Sequence, residues 1–403
     1  MTITYRTPDS SEIAGVIAAG ELPFGDVAHP EDVAFYSGVV EPERVIVAEE
    51  GGRIVGVGAA LSYDLSVPGG DAVPLCGVGL VSVLPTHRRR GVASALLRQQ
   101  HADAVARGEP LVGLMASESR IYGRFGYGIA SHRADSEIAT AHAALRTPVD
   151  VAGRVRFVEP GEAGDLTVAC LKALRASTPG IPGGADARLR GRLQRDPEHW
   201  RDGAGARMLV AYEDRGLLAY RVKADWQPTG PAHTLLVTDL YALDDEALTG
   251  LWAYCLDLDL VATVRTWFRP VDEPLAHLLV DPRRLSTTVS DALWLRILDV
   301  PTALAGRRYD ADGTWLLHVD DAAGLAQGTY RLEVRNGRAE VRPAPGRPDV
   351  TLPVDSLAAA YLGGTRLSGL ARAGRVDEHT PGSVRSLDRA LAWDPLPWTP
   401  FEI

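Results

Sequence analysis

Short apolar runs broken by glycine, proline and charge open the chain. Residues 3–6 start a strand, and Ser10-Ser11-Glu12-Ile13, with Ile17 beyond it, begins a hydroxyl-capped helix. Val45 to Glu49 and Ile54 to Ala59 read as two strands joined by the turn signal Glu50-Gly51-Gly52-Arg53, and a third run reaches from Leu75 to Val83. There the period changes. A basic turn leads to Val92, Ala95, Leu96 and Leu97 at helical spacing, and the helix stops near Arg107-Gly108. Three sequential strands before that helix exclude a doubly wound nucleotide fold, in which helices alternate with strands from the start. They fit an antiparallel meander that ends on a loop.

Leu111 to Ala116 is a short buried strand, followed by Ile121-Tyr122-Gly123-Arg124-Phe125-Gly126-Tyr127-Gly128, whose glycines and aromatics do not suit a regular helix. Residues 137–152 read as a strand and polar linker to a second unit. Arg154 to Val158 begins a strand, Leu166 to Ala176 a helix, and Pro179 to Gly184 a loop. Strands are expected at 206–212, 217–222 and 235–241, then a helix at 245–257. This repeats the strand order of the first unit without its basic loop. Asp257-Leu258-Asp259-Leu260 offers carboxylates where a pyrophosphate needs cations, so a second coenzyme site is not expected. Ala292 to Ile297 is expected to open a third unit, with strands at 315–319, 329–334 and 339–342 around the hairpin turn Arg335-Asn336-Gly337-Arg338. Helices are expected at 356–362 and 383–392. The final segment, Trp393 to Ile403, holds three prolines that keep it extended and two tryptophans suited to anchoring it.

Composition sharpens the class. A chain of 403 residues suggests two or three domains, and 46% hydrophobic residues fit a globular protein. A formal charge of −10 argues against general nucleic-acid or membrane-surface binding and favours cationic substrates. Cys76, Cys170 and Cys255 are odd in number and far apart, which excludes a disulfide framework or a cysteine zinc site. No metal is expected. Neither a signal peptide nor a run long enough to span a bilayer is present, and a cytoplasmic location is expected.

The candidate chemistry centres on Arg88, Arg89, Arg90, Gly91, Val92, Ala93 and Ser94. Amides in the first turn of a helix have no internal acceptor, so they and the arginines can converge on a pyrophosphate. Three arginines at a helix N-terminus oppose the helix dipole unless an anion sits among them. Gly91 lets a phosphate approach the backbone. The motif is not a Walker loop, because no Gly-Lys-Ser/Thr follows, and no dinucleotide fingerprint is present. Glycines on both sides of Tyr127 suggest an approachable ring, whose phenol stays protonated at neutral pH and can supply a proton to a leaving thiolate. The alternative is an aromatic plug closing the sheet. In the acidic early helical region, Asp26 is singled out because Phe24 stands two residues before it.

Arg-x-x-Gly-x-Ala from Arg88 resembles the acyl-coenzyme A loop of the GCN5-related N-acetyltransferases. With Pro-Thr-His-Arg-Arg-Arg-Gly from Pro85 and Ile-Tyr-Gly-Arg-Phe-Gly-Tyr-Gly from Ile121, the whole chain resembles the enhanced intracellular survival (Eis) family. The resemblance implies an α+β architecture of two tandem acetyltransferase folds, the second degenerate, and a C-terminal sterol-carrier-like domain, at residues 1–145, 146–288 and 289–403. It implies acetyl-CoA as cosubstrate, contacted by Val81, Ser82, Val83, the loop Arg88 to Ser94, Tyr122 and Gly123. Tyr127 is implied as general acid and the α-carboxylate of Ile403 as general base. Phe24, Asp26 and Glu402 would line the acceptor side. The implied reaction is acetyl transfer to primary amines, aminoglycosides included, by a homo-oligomer, often a hexamer. Two alternatives are a protein lysine acetyltransferase and a non-catalytic lipid carrier acting through the third domain. The intact basic loop argues against the carrier.

Overall fold

The structure, a computed structural model, describes residues 2–25 and 27–403; Asp26 lies outside the described residues. The chain divides into two units. The first comprises residues up to Ala130, Ala292–Asp394 and Glu402–Ile403; the second comprises Ser131–Asp291 and Pro395–Phe401.

In the first unit, β1 (Thr4–Arg6), β2 (Ile46–Glu50), β3 (Arg53–Ser66), β4 (Ala72–Val83), β5 (Leu111–Leu114) and β6 (Gly128–Ile129) belong to one sheet. Gly51 and Gly52 take φ of 61° and 76°, the left-handed pair that a tight β2–β3 hairpin requires. Helices α1 (Ile13–Glu21), α2 (Pro30–Ser37) and α3 (Val92–Ala106) accompany the sheet, with a single turn, α4 (Ser119–Tyr122), after β5. Helix α3 buries Val92, Leu96, Leu97, Gln100, His101 and Ala104, a stripe at helical spacing, and Gly108 beyond its end has φ 73°. Beneath the sheet, Arg44 makes a bidentate ion pair with Glu109, at 2.6 and 2.7 Å, and its Nη1 also donates to Ser62 Oγ.

The second unit holds an antiparallel-dominated sheet of β7 (His132–Ala139), β8 (Val155–Phe157), β9 (Met208–Tyr212), β10 (Gly216–Lys223), β11 (His233–Ala242), β12 (Val261–Arg269) and β13 (Ser286–Asp291), in the order β13-β7-β12-β11-β10-β9-β8. Only β11 and β12 run parallel, joined by α7 (Asp245–Leu256); α5 (Pro160–Leu174) and α6 (Asp186–Gln194) precede them. The strand expected from residue 137 begins earlier, at His132, and ends at Ala139; it is an inner strand, β7, between β12 and β13.

The next strand, β14 (Trp294–Ile297), does not open a third sheet as expected. It inserts into the first sheet between β5 and β6, giving the order β1-β2-β3-β4-β5-β14-β6. All four of its residues are buried, the signature of an inner strand covered on both faces. The third sheet follows: β15 (Gly313–Asp320), β16 (Gly328–Arg335), β17 (Arg338–Pro343), β18 (Val350–Pro353) and β19 (Asp377–Glu378), ordered β17-β16-β15-β18-β19. Asn336 and Gly337, at φ 51° and 69°, form the hairpin turn read from the sequence. Helices and largely antiparallel sheets are combined in both units, the α+β architecture expected from the sequence.

Candidate active site

Strands β4 and β5 run parallel and pair only at Leu75–Gly77 with Leu111–Gly113; β4 continues to Val83 without β5 beside it. The sheet therefore forks. Against β3, the register of β4 shifts between Val57↔Ser82 and Ala59↔Gly79, so Leu80 and Val81 face the single residue Gly58. Leu80 has φ 49°, as a bulge residue does. The bulge takes backbone groups at Leu80–Val81 out of the ladder with β3 and leaves them at the fork. Ser82 is buried, while Val81 and Val83 are half-buried on the other face.

The basic loop follows β4. Arg89 at φ 62° and Gly91 at φ 83° are left-handed residues flanking Arg90, and Gly91 caps α3 without any side-chain N-cap. Alternation of this kind turns successive amides toward one point, an anion nest, at the positive end of a 15-residue helix. No atom lies within 4 Å of where a Cβ on Gly91 would stand, so the space over its backbone is open. That cradle fits a pyrophosphate. The three arginines divide their work: Arg90 is bound by Glu50 at 2.6 and 3.1 Å, which raises the Arg90 pKa, and His87 Nε2 meets the same carboxylate at 2.9 Å. Arg88 reaches the Pro23 carbonyl at 3.4 Å, beside the exposed Phe24. Arg89 is exposed on the loop.

The chain terminus lies at the fork. A Cβ on Gly79 would stand 3.8 Å from an Ile403 backbone oxygen, and one on Gly113 would stand 3.2 Å from Ile403 Cδ1. Both strands of the fork thus carry glycine where the last residue approaches, a signal that sequence reading missed. Glu402 is exposed and Ile403 half-buried. The carboxylate of Asp26 is among the expected acceptor-side groups and lies outside the described residues.

Tyr127 departs from expectation. It is 1% exposed, its hydroxyl lies 2.8 Å from Nε2 of the buried His101, and burial raises its pKa well above 10. The glycines around it do not open space. A Cβ on Gly126 would strike Arg296 Nη1 at 2.4 Å, and one on Gly128 the Asp355 carbonyl at 1.9 Å. They admit close packing of β14 and the third domain instead of a substrate. Tyr122, 5% exposed and edge-on to Tyr127 at 5.9 Å between ring centroids, bonds instead to Ser117, an exposed residue just beyond β5. Burial raises its pKa as well, with the Ser117 bond opposing the shift. His101, pushed down to about 4 by burial and by the nearby Arg296 charge, is neutral at pH 7.

In the second unit, Asp257–Leu260 lies after α7 and before β12, away from the α7 N-terminus where a coenzyme loop would fall. The residues at that N-terminus are Asp244, Asp245 and Glu246, and Asp244 already caps Ala247 N at 2.8 Å. The α7 N-terminus thus carries carboxylates where an anion site needs donors, and the segment singled out in the sequence lies at the other end of that helix. Among the described residues, no cluster of metal-ligating side chains is found, and no helix is long and apolar enough to cross a membrane.

Comparison with known proteins agrees with this geometry. Residues 4–130 and 191–297 each match an acetyltransferase (GNAT) domain family, and residues 300–400 a sterol carrier protein domain family. An uncharacterized N-acetyltransferase of Streptomyces avermitilis is 39% identical over 389 residues, covering 94% of both chains. The N-acetyltransferase Eis of Mycobacterium tuberculosis is 31% identical over 424 residues, covering all of both. The crystal structure of Eis1 from Mycobacterium abscessus superposes over the full length of both chains with a TM-score of 0.84 and 31% identity. Full-length identity at this level, with two GNAT domains and a carrier-type domain in the same order, places the chain in the Eis family of GCN5-related N-acetyltransferases.

Proposed function

We propose that this chain acetylates primary amines on cationic small molecules, aminoglycosides among them, at the fork between β4 and β5. The observation that carries the reading is the approach of the terminal Ile403 to Gly79 and Gly113, beside the bulge at Leu80. Acetyl-CoA supplies an activated thioester carbonyl and a thiolate leaving group. Arg88, Arg89 and the amides from Gly91 to Ser94 would hold its pyrophosphate, and Tyr122 and Gly123 would contact its thioester end. The backbone of Val81 to Val83 would align it and polarise its carbonyl.

The remaining work is proton transfer by this chain's own groups. An amine must lose a proton to attack, and the Ile403 α-carboxylate accepts it, directly or through water. The reference pKa of such a group is about 3.5, so it is ionised at neutral pH and open to accept a proton. The departing sulfur takes a proton from a phenol. We assign that phenol to Tyr122 in place of Tyr127, because the Tyr127 hydroxyl is engaged by His101 in the interior and that of Tyr122 bonds to an exposed serine. Phe24, Asp26 and Glu402 would receive the polycation, in keeping with the charge of −10. Assembly into a homo-hexamer is part of the same proposal. The test is a panel of amines scored by free-thiol release from acetyl-CoA. Aminoglycosides should release thiol and gain acetyl mass; transfer only to protein lysines would contradict the assignment.

A further inference from the structure

The second unit contains a fork of its own. Strands β11 and β12 are parallel and pair from His233↔Val261 to Val237↔Thr266, yet β11 continues to Ala242 and β12 to Arg269. This is the same divergence as between β4 and β5. Here the opening is filled from within the unit. Arg269, 5% exposed, donates through Nη1 to the Leu240 carbonyl on the opposite strand and pairs with Glu273 at 2.6 Å. Its guanidinium lies over the Trp398 ring, 5.3 Å from the centroid.

Trp398 belongs to the last stretch of the chain. Its indole Nε1 donates to the Phe268 carbonyl at 2.6 Å, its backbone N to the Pro179 carbonyl at 2.9 Å, and its ring lies 6.0 Å from that of Tyr241. One residue on, Thr399 is fully buried; its Oγ1 bonds to the Gly180 carbonyl at 2.9 Å and lies 2.8 Å from Ser131 Oγ. Two residues back, Leu396 N donates to Asp272 at 2.9 Å. Gly180, at φ 94°, permits the approach, since a Cβ there would stand 3.1 Å from the Trp398 carbonyl oxygen. A cavity of about 190 Å3 remains beside this plug, between Tyr241, Leu248, Arg269, Leu396 and Trp398.

We infer that the second acetyltransferase fold is a receptor for the chain's own C-terminal segment, with Trp398 a positioning residue that holds the terminal carboxylate ready for the reaction. The inference rests on the proposed role of that carboxylate. Prolines at 395, 397 and 400 keep the segment extended, which lowers the entropy lost on docking. Phe401 is buried in the same unit, so only Glu402 and Ile403 extend past the anchor. Two residues span about 7 Å at most. Without the anchor, the carboxylate would ride on a free tail running from the end of the helix Ser383–Leu391, and its effective concentration would fall to that of a flexible tether.

Two readouts on the full-length chain test this. Carboxypeptidase should release Ile403 and Glu402 slowly from the wild type and at least about tenfold faster from Trp398→Ala, with Trp398→Phe between them. In thiol-release kinetics, Trp398→Ala should lower kcat by roughly tenfold or more while leaving the Kd for coenzyme A unchanged, and added formate should restore part of the loss by standing in for the carboxylate. A chain extended by several residues past Ile403 separates the two ideas. If the extension abolishes turnover but Trp398→Ala has normal kcat and normal tail protection, the anchoring inference is overturned alone. If the extended chain keeps full turnover, the terminal base itself is refuted. Should Trp398→Ala lose coenzyme binding, Asp272→Asn, which weakens only the Leu396 contact, carries the test with the same two readouts.

Discussion

Replacing His101 by glutamine separates the charge of its ring from its packing, since the side-chain amide falls close to Nε2 and keeps a partner for the Tyr127 hydroxyl. The folded imidazole titrates at about 4, against 6.5 when free, because burial and the Arg296 charge oppose protonation. Between those values the unfolded chain binds a proton that the folded chain refuses, so stability falls as pH drops below 6.5 and the loss is complete near pH 4. At about 1.4 kcal/mol for each pH unit between those values, the whole effect is about 3 kcal/mol, of which about 2 kcal/mol is reached on going from pH 8 to pH 5. The assay is urea unfolding of wild type and His101→Gln at those two pH values, read at the transition of the first unit. The stability difference between the two proteins should move by about 2 kcal/mol in favour of the variant at pH 5. A difference independent of pH would refute a neutral, buried His101.

Other perturbations follow from the same contacts. Glu109→Ala leaves Arg44 buried without its bidentate partner and should destabilise the first unit by about 3–5 kcal/mol in chemical denaturation. Gly91→Ala has room for its methyl group but adopts a left-handed φ, so it should cost about 1 kcal/mol of stability. Because the methyl group also stands where the phosphate is expected, isothermal titration should show coenzyme A binding weakened by roughly tenfold or more. Tyr122→Phe should lower kcat with little change in coenzyme affinity, and Tyr127→Phe should chiefly lower stability. The reverse pattern in thiol release and thermal melting would return the acid role to Tyr127.

Much of this was legible in the chain. The strand-to-helix change at Val83–Val92 located the left-handed loop that opens α3, and Glu50-Gly51-Gly52-Arg53 and Asn336-Gly337 marked hairpins whose left-handed residues the structure contains. What escaped depends on contacts distant in sequence. Trp294–Ile297 reads as a strand, but nothing local says that it inserts beside β5 rather than starting a new sheet. The glycines around Tyr127 read as openness because their neighbours, Arg296 and Asp355, come from far along the chain and fill that space. Nothing local in the sequence marks His101; its burial against Tyr127 comes from the packing of α3. Gly79 and Gly113 show their purpose only when Ile403 is seen between them. The tryptophans near the end did announce a docked tail, though not the strands that receive it.

The proposed role of the Ile403 carboxylate is tested most directly by lengthening the chain. Wild type and a chain extended past Ile403 should be compared for thiol release from acetyl-CoA with an aminoglycoside acceptor, with coenzyme A affinity measured on both. The account predicts equal affinity and a large loss of turnover in the extended chain. Equal turnover at equal affinity would contradict it, and would move the base to another group.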